Sequence, residues 1–239
     1  MKLKIKGFLD LSLTDWDGKT TCVVFTPGCP FRCPYCYNRD LVLEPWKLED
    51  IPLERILAFL RENGWGLDGV VITGGEPTIW PGLPELCSAL KEEGLLVKLD
   101  TNGTNPDMLE GLLSSGLVDY VAMDIKAPLV PEKYSLACGV DAGPFLAEVE
   151  RSIDILLGGP VDYEFRTTVV PTIHGPGDVR AICTRIRGCE RYVIQAFKPL
   201  GPTIDPRFTD MRTFTGEELR AFMKEAEEVL GPGRVLLRA

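Results

Sequence analysis

The chain has 239 residues, 45% hydrophobic and 26% charged, which is enough apolar material for one large α/β core and gives no ground for division on length. A formal charge of −9 with no block of Lys and Arg argues against a nucleic-acid partner, because phosphate neutralisation is the main source of such affinity. No apolar run is long enough to span a bilayer and no signal peptide opens the chain, so a cytoplasmic protein without a membrane partner is expected.

Met1 to Lys6 alternates charged and apolar residues, as a strand does. Thr21 to Thr26 (TCVVFT) reads as a β-branched strand, and Leu53 to Asn63 has helical spacing at Ile56, Leu57 and Leu60 before Gly64. Gly69 to Thr73 is a second buried strand, followed by a helix from Leu83 to Glu93 that Gly94 stops. Leu95 to Leu99 and a helix near Pro106 to Ser115 come next. Tyr120 to Ile125 leads into a helix from Phe145 to Leu157, and Tyr163 to Val170 into one from Gly177 to Arg187. Tyr192 to Phe197 precedes a long helix from Thr215 to Leu230, where Thr215 and Glu218 have capping-box spacing. Val235 to Leu237 adds a terminal strand. Six βα units need crossover connections and imply a parallel sheet. Periodicity leaves open whether that sheet is doubly wound or a partial barrel.

Eight cysteines without a secretory signal are not a disulfide framework. Cys22, Cys87, Cys138, Cys183 and Cys189 are scattered and suit buried small hydrophobes. Cys29, Cys33 and Cys36 crowd into eight residues after the first β-branched strand. Pro27, Pro30 and Pro34 keep them out of helix and central strand, so they fall on a loop at a strand's C-terminal end, where α/β sheets bind ligands. The spacing C-x3-C-x2-C offers three soft ligands and no close fourth, which suits a cluster with one open iron. Zinc wants a fourth ligand, and the only histidine, His174, is distant in a Pro/Gly-rich loop that should leave it exposed. A redox CxxC leaves Cys29 idle.

The triplet, with Tyr35 just before its last cysteine, resembles the radical S-adenosylmethionine (SAM) signature. The resemblance implies a partial (β/α)6 barrel in a single domain over 1–239: lead-in strands in 1–20, a core of about 21–200, and a C-terminal helix and strand over about 201–239. It implies a [4Fe–4S] cluster on Cys29, Cys33 and Cys36 whose open iron binds SAM. One-electron reduction then cleaves SAM to methionine and a hydrogen-abstracting 5′-deoxyadenosyl radical. Tyr35 packs near the adenine in this reading. Gly74-Gly75-Glu76-Pro77 resembles the family's GGE(P) motif, with Gly74, Gly75 and Glu76 at the methionyl amino group. Read from the residues alone, the paired glycines let a ligand approach the backbone closely.

Asp100-Thr101-Asn102-Gly103 and Met123-Asp124-Ile125-Lys126 resemble segments of glycyl-radical-enzyme activating enzymes. That likeness places Asp100, Asn102, Asp124 and Lys126 around SAM and a monovalent cation at Asp100, Thr101 and Asp124. A rim ion pair is the plain reading of Asp124 and Lys126. Arg166 with Val169-Val170-Pro171 adds to the likeness, and Gln195, Phe197 and Lys198 can line the site. The lead-in, Gly7 to Asp10 with Thr14 to Thr20, is similar to that of anaerobic ribonucleoside-triphosphate reductase activating proteins, although Asp17-Gly18-Lys19-Thr20 departs from the DGPGIR of pyruvate formate-lyase activators. The resemblance implies a glycyl radical enzyme as protein substrate and a low-potential electron donor such as flavodoxin or ferredoxin. A small-molecule radical SAM enzyme is the enzymatic alternative, and a non-catalytic cluster- or zinc-binding module the remote one.

Overall fold

A computed structural model describes residues 3–159 and 161–238. The strands are β1 (Gly7–Ser12), β2 (Thr21–Thr26), β3 (Gly69–Gly74), β4 (Leu96–Thr101), β5 (Tyr120–Asp124), β6 (Asp162–Val169), β7 (Tyr192–Ala196) and β8 (Val235–Arg238). They form one sheet in chain order, with β1 antiparallel to β2 and every later neighbour parallel. The helices are α1 (Arg39–Leu43), α2 (Leu53–Asn63), α3 (Leu83–Glu92), α4 (Pro106–Ser114), α5 (Pro131–Cys138), α6 (Leu146–Leu157), α7 (Pro176–Arg185) and α8 (Gly216–Leu230).

A doubly wound sheet reverses its strand order at a switch point. This sheet never reverses, so right-handed crossovers put all the helices on one face and the sheet curls into a partial barrel. The helices pack their apolar stripes on the outer face, in one continuous core that includes Val24, Ile72, Leu99, Val121 and Phe165. The inner face holds a separate small cluster of Trp16, Val23, Val71, Tyr120 and Ala122. Among the described residues β1 and β8 do not pair, and the wall is open between them. Arg238 of β8 reaches Asp17 of the β1–β2 turn across that opening at 2.7 Å.

The same turn closes the lower end of the barrel. Trp16 enters the interior at 7% exposure, and Lys98 donates to the Asp15 carbonyl above it. Lys98 is 1% exposed, with Asp100 at 3.7 Å and Glu164 at 3.9 Å. Fully buried Glu164 takes both Arg238 nitrogens at 2.9 Å and Tyr120 Oη at 3.2 Å. The period of two along a strand explains the stack. Lys98 and Asp100 of β4, Tyr120 and Asp124 of β5, and Glu164 and Arg166 of β6 all point inward, so charge from the lower end continues to the strands' C-terminal ends.

Three expectations change. The N-terminal strand runs over Gly7–Ser12, after the stretch predicted, and Leu3 to Lys6 are irregular. Their alternation reflects Ile5 turning into the core while Lys6 bonds the Leu48 carbonyl at 2.7 Å. Met1 and Lys2 lie outside the described residues. Two helices were not anticipated, α1 and α5. Tyr134, Ala137 and Cys138 supply the buried face of α5 at helical spacing. The capping box at Thr215 and Glu218 is present, with Glu218 N–H donating to Thr215 Oγ1 at 3.2 Å.

Candidate active site

The loops at the C-terminal ends of β2 to β6 surround a cavity of about 210 Å³. The loop after β2 carries Cys29, Cys33 and Cys36, and all three line it. Phe31 anchors this loop. Its ring is 1% exposed and packs edge-on against Tyr134, at 6.1 Å, and Phe145, at 5.4 Å. Arg32 N–H donates to the Cys138 carbonyl at the end of α5, 2.8 Å away. Gly139 follows at φ 72°, where a Cβ would stand 2.0 Å from the Arg32 carbonyl oxygen, so only glycine lets α5 meet the loop this closely.

All three cysteines are free thiols. Burial, with help from nearby Glu76, pushes Cys29 up to about 12, and burial also raises Cys33 and Cys36. Such thiols ionise only when a ligand brings positive charge to them. Among the described residues no three His, Cys, Asp or Glu side chains gather closely enough to hold a single metal ion.

Glu76 joins the loops after β3 and β4. It is 1% exposed, and its Oε1 accepts from Thr78 N (3.1 Å), Thr78 Oγ1 (2.6 Å) and Thr101 Oγ1 (2.7 Å). Oε2 accepts from Asn102 N at 2.7 Å. Burial raises its carboxyl, and these donors oppose the rise. Gly74 and Gly75 serve backbone contact before any ligand. Gly75 N–H donates to Thr26 O (2.8 Å) and Glu76 N–H to Gly28 O (2.7 Å), and a Cβ on Gly75 would fall 1.8 Å from that Gly28 oxygen. Asn38, which sequence reasoning missed, caps the pair by donating to the Gly74 carbonyl at 2.6 Å.

Arg166, 9% exposed, bridges two strand-end carboxylates: Nη1 to Asp100 Oδ2 at 3.1 Å and Nε to Asp124 Oδ1 at 2.8 Å. Lys126 Nζ holds the other Asp124 oxygen at 2.9 Å. Burial opposes the charge on Asp124, yet Arg166 and Lys126 hold its carboxyl well below the usual carboxylate range. Asp124 and Lys126 thus form the rim ion pair and face the cavity as well. The residues suggested for a monovalent cation are otherwise engaged: both carboxylates share the guanidinium, and the Thr101 hydroxyl donates to Glu76. Tyr35, which lines the cavity, has a buried hydroxyl with no hydrogen-bond partner, and Asp100 Oδ1 makes no hydrogen bond but lies 3.7 Å from Lys98 Nζ.

Gln195, Phe197 and Lys198 do not line this cavity. Phe197 lies behind it, edge-on to Tyr35 at 6.3 Å and stacked on Tyr37 at 6.0 Å, while Lys198 is exposed. His174 is not exposed as expected but 6% accessible. Its Nδ1 accepts from Val170 N at 3.0 Å, which puts the proton on Nε2, the donor to the Lys126 carbonyl at 2.7 Å. The imidazole thereby clasps the loops after β5 and β6.

Burial holds the His174 pKa below the ordinary histidine value, despite the nearby Asp178. An unfolded chain protonates this histidine below about pH 6.5 and the folded one resists, so stability is present above that pH and is lost as pH falls. We expect the loss from this group to reach no more than about 1.4 kcal/mol per pH unit. Urea unfolding of wild type and His174→Gln between pH 7.5 and 5.5 checks it, the variant lacking that part of the slope.

Against this geometry stand the known proteins. A Methanocaldococcus jannaschii protein carried under the provisional name glycyl-radical enzyme activating enzyme is 34% identical over 231 residues, covering 96% of this chain and 94% of its own. Residues 23–139 match the Radical SAM superfamily. The chain belongs to that superfamily. Membership makes it an enzyme and implies an iron–sulfur cluster and SAM as cofactors. A 7-carboxy-7-deazaguanine synthase of Neisseria meningitidis is 36% identical over 135 residues, 56% of this chain and 57% of that one. Streptococcus suis SuiB bound to its precursor peptide SuiA shares the fold, with a TM-score of 0.68 at 13% identity over 91% of this chain and 48% of SuiB. No helix among the described residues is long and apolar enough to cross a membrane.

Proposed function

We propose that this radical SAM protein activates a glycyl radical enzyme, with Cys29, Cys33 and Cys36 holding one [4Fe–4S] cluster and SAM in the cavity beside it. Near end-to-end relatedness to the M. jannaschii protein carries the activase reading. The cavity's chemistry supports the cofactors: three soft donors on one loop line it together, beside a buried Tyr35 hydroxyl that has no partner. When bound, the cluster and SAM supply one-electron reduction of the sulfonium and abstraction of an unreactive C–H hydrogen.

The chain's own residues bind and orient. Glu76 Oε2 takes one donor and keeps capacity for the ammonium of the methionyl part, beside the Gly75 backbone. Asp124 and Lys126, fixed by Arg166, present a rigid polar edge to the rest of SAM, with Asp100 alongside. Tyr35 supplies an aromatic wall for the adenine and a hydroxyl that gains a partner on binding. The substrate in this reading is a backbone glycine of anaerobic ribonucleoside-triphosphate reductase, with flavodoxin or ferredoxin as electron donor. Similarity to the deazaguanine synthase supports a second reading, with a small molecule in place of the protein.

Anaerobically reconstituted protein, reduced and given SAM together with that reductase, is expected to form 5′-deoxyadenosine and a glycyl EPR signal on the partner. Deoxyadenosine without the partner radical points to the second reading. Neither product, with iron and sulfide present, overturns the site.

A further inference from the structure

Asn102 is held on three sides and has one group left to use. Its backbone N–H donates to Glu76 Oε2 at 2.7 Å. Its side-chain Oδ1 accepts from Thr104 N at 3.0 Å and Thr104 Oγ1 at 2.7 Å. A backbone N–H can only donate, so Oδ1 must face Thr104 and the amide cannot be flipped. That fixes Nδ2, which lies 3.6 Å from Cys29 Sγ. Phe31 N–H reaches the same sulfur at 3.4 Å. Asn102 is 5% exposed, so water does not compete effectively for the contact.

We infer that the Asn102 amide tunes the reduction potential of the cluster on Cys29, Cys33 and Cys36; the inference rests on the cluster reading above. An N–H dipole aimed at a ligand sulfur favours negative charge there, and the effect grows in a buried, low-dielectric site. Reduction adds one electron to the cluster, so the bond stabilises the reduced form more than the oxidised form and raises the potential. No proton moves and no bond at Asn102 forms or breaks. Thr104 is part of the device, because it turns the amide toward the sulfur.

The test is a redox titration of reconstituted protein without SAM, with dithionite as electron source and EPR as readout, on wild type, Asn102→Ala and Thr104→Val. At the poise where wild type is half reduced, the reduced-to-oxidised ratio of Asn102→Ala is expected to fall about tenfold, equivalent to about 59 mV for a one-electron couple. Thr104→Val removes the hydroxyl donor to Asn102 Oδ1 while the backbone N–H still holds the amide's orientation, so its midpoint shifts the same way by less. An Asn102→Ala protein with full iron and sulfide and an unchanged or higher midpoint overturns the inference. Should that variant hold no cluster, Asn102→Leu, which keeps the side chain's bulk and removes the N–H, decides: a lower midpoint supports the tuning role and an unchanged one refutes it. Wild type that binds no iron and sulfide instead defeats the underlying cluster reading.

Discussion

Replacing Cys33 by alanine is expected to bring SAM cleavage and bound iron down to background while the barrel stays folded. Cys33 is the most enclosed of the three thiols, at 7% exposure, and it contacts the cavity from the middle of the loop. Two cysteines cannot replace three ligands on an iron–sulfur cluster, so the loss is of the centre itself, not a reduction in rate. The fold loses only one buried sulfur, which costs on the order of 1 kcal/mol. Phe31, wedged against Tyr134 and Phe145, still ties the loop down. Iron analysis, a deoxyadenosine assay and urea unfolding of the apoprotein read these effects separately. A variant with wild-type iron and deoxyadenosine formation would remove Cys33 from the site.

Gly75→Ala should strike the fold and the site together. The new Cβ would meet the Gly28 carbonyl oxygen at 1.8 Å and its carbon at 2.7 Å, both backbone atoms that no rotamer change can move. Relief means breaking the Glu76-to-Gly28 bond, the Gly75-to-Thr26 bond, or both. We expect apoprotein stability to fall by about 3 kcal/mol or more, seen as a lower urea midpoint. The reconstituted variant should also hold less iron, because Gly28 adjoins Cys29. Gly111→Ala is the control: it lies in α4 with nothing within 4 Å of its Cβ, and should raise stability by about 0.5–1 kcal/mol. Equal midpoints for the two variants would mean that the β2 and β3 loops are not joined as described.

The reach of the sequence follows from what kind of interaction each feature depends on. The strand TCVVFT, the prolines around the cysteines and the capping box at Thr215 are local patterns, and each appears where read. The choice between doubly wound sheet and barrel depends on how consecutive crossovers stack, which periodicity does not encode; family resemblance supplied it and the unreversed strand order bears it out. Lys98 and Glu164 stayed unnoticed because a charged residue in a strand looks solvent-facing until its partners, 66 residues apart in number, are brought across the barrel. His174 misled for a similar reason. Its Pro/Gly-rich surroundings describe a turn, but the turn folds inward and the ring spends both nitrogens on backbone groups. The paired glycines were rightly singled out as a place of close approach, but what approaches in this structure is Thr26 and Gly28.

Most of the site's charge was visible without its wiring. Asp100, Asp124, Lys126 and Arg166 could each be named from strand ends, yet only the fold shows Arg166 shared between the two aspartates. Asn38 gave no signal beyond being a turn residue next to a motif, and Asn102 was named as a residue around SAM without its contact to Cys29 being foreseen.

The central claim is that three thiols around one cavity hold a cluster with an iron left for SAM. EPR of anaerobically reconstituted, dithionite-reduced protein, recorded with and without SAM, tests it most directly. The account predicts about four irons and four sulfides per chain and a reduced-cluster signal whose shape changes when SAM is added. Protein that takes up zinc in place of iron and sulfide, or a cluster signal indifferent to SAM, would contradict it.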